Sequence, residues 1–141
     1  MKPDLLVRPI QADEIEAARS LLLAAEWDRC VSDTAEFQAL LARSQITLVA
    51  LEAGVVVGFL RALSDGMANG YISMLVVAEA RRGTGIGRAL MHAATGDHLH
   101  MTWVLRAAPN GVAEFYRKLG FTQSVVAMER PAARSTPVES R

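Results

Sequence analysis

The chain has 141 residues, enough for one domain with its own core and too few for two. Half of it is apolar and 21% is charged, which excludes an intrinsically disordered chain. Its 15 basic and 15 acidic residues cancel, so no overall field draws in nucleic acid or an anionic membrane, and neither is expected as a partner. The lone Cys30 has no disulfide partner in the chain. His92, His98 and His100 lack zinc-ligand spacing, so no metal is expected. Pro3 and Asp4 interrupt the start where a signal peptide would need an apolar run. No apolar run is long enough to cross a bilayer, so the expectation is a soluble, cytoplasmic protein.

Residues 5–9 form a short apolar segment stopped by Pro9, an expected edge strand. Asp13 is the expected cap of a helix with Ile15, Ala18, Leu22 and Ala25 at helical spacing, ending near Trp27. Asp33 or Thr34 opens a second helix carrying Phe37, Leu40 and Leu41. Residues 46–51 and 55–63 read as two strands joined by a Glu52-Ala53-Gly54 turn. A polar turn over 64–70 leads to a strand over 71–77, apolar enough to be covered on both faces. A helix over 85–95 presents Ile86, Leu90 and Ala93 or Ala94 on one side. It is followed by a strand over 101–105 and a helix over 110–119 stopped by Gly120. The last predicted strand covers 121–128, and 131–141 has the composition of a disordered tail beyond a single domain over 1–130. Strands joined by tight turns must be antiparallel, and one reached through a helix is parallel to its predecessor. The fold class is therefore α/β (α+β), with a mixed, mostly antiparallel central sheet and helices on both faces.

The segment from Val76 to Leu90 is the most informative. A buried strand runs into a loop with Gly83, Gly85 and Gly87 at alternate positions, and the loop runs into a helix. Glycines let backbone N–H groups and a ligand meet without an intervening Cβ. The helix start adds free donors and a positive dipole end, and Arg81, Arg82 and Arg88 add charge. Such a junction suits a phosphate or diphosphate. A P-loop would need Lys-Ser or Lys-Thr after its last glycine, and Arg88-Ala89 stands there. A dinucleotide site would need G-x-G-x-x-G after the first strand of a parallel sheet, and both spacing and strand order fail. An acyl-CoA diphosphate remains, as does a glycine-rich loop with no ligand.

Arg82-x-x-Gly85-x-Gly87 resembles the (Arg/Gln)-x-x-Gly-x-(Gly/Ala) signature of the GNAT superfamily of N-acetyltransferases. Phe115-Tyr116-Arg117-Lys118-Leu119-Gly120-Phe121 resembles that family's later motif, a helical Tyr followed by Leu-Gly-Phe. The resemblance extends over residues 5–130, and the order of elements is similar to the family's. It implies a GNAT-like fold and acetyl-CoA as co-substrate. The diphosphate would lie on Arg82, Gly83, Thr84, Gly85, Ile86, Gly87 and Arg88. The pantetheine arm would pair like an added strand with the backbone of Leu75, Val76 and Val77. An N–H at Leu75 or Val76 would polarise the thioester carbonyl. Tyr116 would be the general acid that protonates the leaving thiolate, the alternative being a core tyrosine.

Two departures stand out. Where the family often has an Asn seven positions before this Tyr, the chain has Pro109, and Asn110 is better read as a helix cap. The central strand reads Ile72-Ser73-Met74, without the carboxylate that serves many members as base. Asp65 in the preceding turn is the candidate replacement, against the plainer reading of a solvated turn aspartate. The acceptor pocket is expected around Trp27, Asp28, Arg29 and Cys30 with Phe37 behind, and Tyr71 and Ser73 facing it. Trp27 is either an aromatic wall for an amine or a lid on the core. Direct transfer needs no acyl-enzyme, so Cys30 is not expected to be a nucleophile. His98 and His100 fall in a loop and are expected to be solvated. The implied reaction is direct acetyl transfer to a primary amine of a small molecule. Alternatives are a protein or peptide amine as acceptor, or a non-catalytic CoA-binding sensor or interaction module. The resemblance also allows a homodimer.

Overall fold

A computed structural model of the protein describes residues 4–96, 99–108 and 111–133. The described residues divide into two compact units, one up to Arg106 and one from Ala107 on. The first is built on a five-stranded sheet in the order β1-β2-β3-β4-β5. Its strands are β1 (Leu5–Pro9), β2 (Ile46–Glu52), β3 (Val55–Ser64), β4 (Asn69–Val77) and β5 (Thr102–Leu105). The first four pair antiparallel, and β5 pairs parallel to β4 after a helical crossover. This is the mixed, mostly antiparallel sheet that the turn lengths predicted. Glu52 pairs with Val55, so the β2–β3 turn is only Ala53-Gly54. Both have positive φ, +51° and +82°, the pair of left-handed residues that a tight type I′ hairpin needs.

Helices α1 (Ile15–Ala24) and α2 (Thr34–Ala42) cover one face of this sheet. Ala18 and Leu22 of α1, and Phe37 and Leu41 of α2, pack with Val49, Leu51, Phe59, Met74 and Val76. Asp33 caps α2 as expected, its carboxylate accepting from the Glu36 N–H at 2.9 Å. Asp13 does not cap α1. It sits inside a single 3-10 turn, Ala12–Glu14, and the entry is closed by Gln11, whose N–H donates to the Glu14 carboxylate at 2.8 Å. Glu14 falls at the third position after Gln11, which gives it that reach. The same carboxylate holds the Arg8 guanidinium at 2.9 and 2.6 Å. The α1–α2 connection is tied back by Arg19, which donates to the carbonyls of Val31 and Ser32.

Helix α3 (Ile86–Thr95) covers the opposite face, because Gly58, which it crosses, points away from its neighbour Phe59. A Cβ on Gly58 would stand 2.9 Å from Leu90 Cδ1 and 3.0 Å from Ile86 Cγ2. The bare backbone there lets α3 lie close to β3. Ile86, Leu90 and Met91 are its buried residues; of the two expected alternatives Ala93 is exposed and Ala94 half-buried.

The second unit holds α4 (Ala113–Arg117), shorter than the predicted helix, and Gly120 ends its last turn at φ +97°. Residues 121–128 are a correction: they form no strand. The Ser124 hydroxyl accepts from the N–H groups of Val126 and Ala127 at 3.0 and 2.9 Å. That local turn takes donors a sheet ladder would use, and it outweighs the β propensity of Val125-Val126. The Asn110 cap, His98 and residues 134–141 of the expected tail lie outside the described residues.

Candidate active site

The site begins where β4 loses a neighbour. β5 pairs with Asn69–Ile72 and stops, because it is only four residues long. From Ser73 to Val77 the β4 backbone has β3 on one side and no β5 partner on the other. The candidate pantetheine-binding residues Leu75, Val76 and Val77 lie in this stretch. Val76 is buried in the core under α1 and α2, so its side chain anchors the strand where β5 no longer pairs with it.

β4 then runs through a 3-10 turn, Glu79–Arg81, into the glycine loop. Gly83 and Gly85 have φ of +79° and +95°, and a Cβ on either would meet no atom within 4 Å. At these two positions, therefore, no described residue fills the space beside the loop. Thr84 donates to the Arg81 carbonyl at 2.6 Å, which holds the loop's curve. Gly85 is the N-cap of α3 and supplies no side-chain acceptor. The first N–H to close the α3 ladder is Ala89, on the Gly85 carbonyl at 3.0 Å. The N–H groups of Ile86, Gly87 and Arg88 precede it, at the positive end of the helix, with no acid in the first turn. Arg88 is exposed and has no partner among the described residues. Arg82 uses Nε on the Val77 carbonyl at 3.2 Å, and its two Nη atoms keep their donors. Arg81 differs from the expectation. It is ion-paired with Glu52 and serves the hairpin end rather than the loop. Space that no described residue fills, N–H donors without a partner among the described residues and two arginines fit a diphosphate.

Ser73 is the extra residue of a bulge in β4, since Arg61 pairs with Met74 and Ala62 with Ile72. The bulge puts Ser73 on the α1/α2 face beside Met74. There the Ser73 hydroxyl accepts from Arg61 Nη1 at 2.7 Å, and the Ser44 hydroxyl accepts from Arg61 Nε at 2.7 Å. Tyr71 pairs with Leu63 and shares this face. Arg61 is half-buried, and burial pulls its pKa below the ordinary value, countered by the Cys30 thiol and the Tyr71 phenol around it. Trp27 packs on the α1/α2 core as a partly buried lid.

Asp65 has a structural task. Its Oδ1 accepts from the N–H groups of Met67, Ala68 and Asn69 at 2.8, 2.8 and 3.1 Å. These bonds hold its carboxyl below the usual range, which makes it a poor proton acceptor. Tyr116 lies on α4, edge-on to Phe115 and Phe121 with ring centroids 5.0 and 6.0 Å away. Burial pushes its phenol above 10, so it is protonated at neutral pH.

The family model for the acetyltransferase (GNAT) domain matches residues 43–123, more than half of the chain. The chain belongs to the GNAT acetyltransferase family. Solved structures agree on the fold. Ard1 from Thermoplasma volcanium is 24% identical with a TM-score of 0.72, over 86% of this chain and 84% of that one. The GNAT-family acetyltransferase SP0256 from Streptococcus pneumoniae is 24% identical with a TM-score of 0.68, over 90% and 98%. A transcriptional regulator from Bacillus halodurans is 18% identical with a TM-score of 0.68, over 91% and 99%. Among curated proteins, nothing matches the chain.

Within this GNAT domain the matched span runs from the end of α2 through α4, so it contains the glycine loop and Tyr116. Sequence reasoning missed Arg61 and Ser44. The signal for Arg61 was its phase: it stands two residues after the core-facing Phe59 in an otherwise apolar strand. Ser44, just past α2, carried no comparable signal.

Proposed function

We propose that the protein transfers an acetyl group from acetyl-CoA directly to a primary amine of a small molecule. The observation that carries this reading is the β4 stretch Leu75–Val77, left without a β5 partner, running into N–H groups at the start of α3 that have no partner among the described residues. Arg82, Gly83, Thr84, Gly85, Ile86, Gly87 and Arg88 would hold the diphosphate, and the β4 edge would align the arm that carries the thioester. Of the two candidates, Val76 faces its ladder partner Phe59 on β3, so the backbone N–H at Leu75 would stabilise the oxyanion, a contribution of about 10²–10³ in kcat. The amine nitrogen forms the new C–N bond, the C–S bond breaks, and a proton passes to the thiolate. Tyr116 supplies that proton; its motif and its protonated phenol support the role. β4 has no carboxylate and Asp65 is engaged in its turn, so water takes the proton from the amine. The reading places the protein in the cytoplasm, where a lone thiol such as Cys30 stays reduced.

Thiol release from acetyl-CoA across a panel of amines tests this. Turnover is expected, and Tyr116→Phe should lower kcat by roughly 10²–10⁴ with little change in the KM for acetyl-CoA. Tight CoA binding with no turnover on any amine would point instead to a sensor.

A further inference from the structure

Arg61 is a half-buried guanidinium with no carboxylate partner among the described residues. Among the described residues its hydrogen bonds go to two hydroxyls, those of Ser44 and Ser73, and it forms no ion pair. Two other partly buried arginines, Arg8 and Arg19, have their carboxylates supplied by the chain, from Glu14 and Glu16. Removing a guanidinium from water without a counter-charge is unfavourable, so a half-buried one whose partners are only hydroxyls is poised for an anion from outside.

The geometry narrows what that anion touches. Ser44 holds Nε and Ser73 holds Nη1. A guanidinium has five donors, so three remain, two of them on Nη2. Nη1 and Nη2 together present the parallel pair that a carboxylate accepts. Ser44 is itself fixed, its hydroxyl donating to the Leu40 carbonyl at 2.8 Å, so the guanidinium plane is braced from the end of α2. In the β3–β4 ladder Arg61 stands opposite Met74, one residue from Leu75. With adjacent strands about 4.8 Å apart and about 3.3 Å per residue, the two backbone positions are roughly 6 Å apart. Arg61 therefore flanks the β4 stretch where the proposed thioester would lie, on the α1/α2 face with Tyr71, Ser73 and Cys30.

Resting on the transferase reading above, we propose that the acceptor is a small amine that also carries a carboxylate, and that this carboxylate docks on Arg61. Arg61 would then determine specificity: it binds the acceptor's acid group and sets the amine toward the thioester, without taking part in the bond changes.

The test compares paired amines that differ only in the acid: glycine with glycinamide, β-alanine with its amide, and 4-aminobutyrate with its amide. Phosphoethanolamine and a short peptide with a free N-terminus and an amidated C-terminus complete the set. Rates are compared at equal concentrations of unprotonated amine in wild type, Arg61→Gln and Arg61→Lys. The best acid should exceed its amide in kcat/KM by about 10- to 100-fold, the range expected of charge-assisted hydrogen bonds. Arg61→Gln should bring that ratio to within about twofold, and Arg61→Lys should restore part of it. A purely structural Arg61 would lower the rates on acid and amide alike and leave the ratio unchanged, which would overturn the proposal. Preference for phosphoethanolamine or for the peptide over every amino acid would overturn it as well. A second readout needs no turnover: N-acetylglycine should raise the melting temperature of wild type more than N-acetylglycinamide does, and not that of Arg61→Gln. If that selective stabilisation appears while no amine is acetylated, the anion site stands and the transferase reading falls. If amines are acetylated but no carboxylate stabilises the wild type, the transferase reading stands and the anion site falls.

Discussion

Gly70 is the position at which a single methyl group should do most damage to the sheet. A Cβ there would stand 2.3, 2.4 and 2.7 Å from Cζ3, Cε3 and Cη2 of Trp103. Carbon atoms rest about 3.5–4.0 Å apart, so the indole would have to move by more than about 1 Å. It is a rigid ring on β5, and Gly70 is its direct partner in a four-residue ladder. Overpacking of this kind costs about 1–3 kcal/mol, and three clashing ring atoms put Gly70→Ala at the upper end. Relieving the glycine's chain entropy returns about 0.5–1 kcal/mol. The net loss is about 2 kcal/mol, or roughly 6–8 °C in Tm for a chain of this length. Thermal unfolding followed by circular dichroism measures it. The same substitution in a Trp103→Leu background should cost less than about 1 kcal/mol, since the smaller side chain leaves room. An unchanged Tm for Gly70→Ala, or an equal penalty in both backgrounds, would refute the reasoning.

Ala53→Gly should stabilise the protein by up to about 1 kcal/mol, because Ala53 sits at φ +51° where a Cβ is unfavourable; chemical denaturation reads the shift. Asp65→Ala should lower Tm at neutral pH without abolishing turnover. The depressed carboxyl contributes stability above its ordinary value of 3.8, and that contribution is lost as pH falls through its lower folded value. The Tm difference between Asp65→Ala and wild type should therefore shrink in acid, and a collapse of kcat in the variant would instead make Asp65 the base. Gly58→Val should press on Leu90 and Ile86, move the start of α3 and weaken CoA binding more than it slows the reaction of bound substrate; calorimetry and steady-state kinetics separate the two.

Much of this was legible in the sequence because local rules and tertiary packing agreed. Ala53-Gly54 is a turn by its own chemistry, and the α3 pattern of Ile86 and Leu90 is inward by helical period. The glycine loop was legible because its donors come from the backbone, whose direction follows from the strand-loop-helix order. Residues 121–128 were misread because β propensity says nothing of Ser124, whose hydroxyl captures two backbone donors. Arg81 looked like part of the cradle, yet Glu52, distant in sequence, claims it across the hairpin end. Arg61 went unnoticed because its meaning lies in having two hydroxyl partners and, among the described residues, no carboxylate, which only the folded chain reveals.

The central claim is that the start of α3 and its loop hold a CoA diphosphate. The most direct measurement is the calorimetric Kd of CoA and of pantetheine, which lacks the diphosphate, for wild type and Gly85→Glu, with Arg88→Glu as a second variant that leaves the loop backbone intact. The account predicts that both variants weaken CoA binding at least about tenfold, as expected from setting a carboxylate against the diphosphate, while the weaker binding of pantetheine is unaffected in Arg88→Glu. Unchanged CoA affinity in both variants would contradict it.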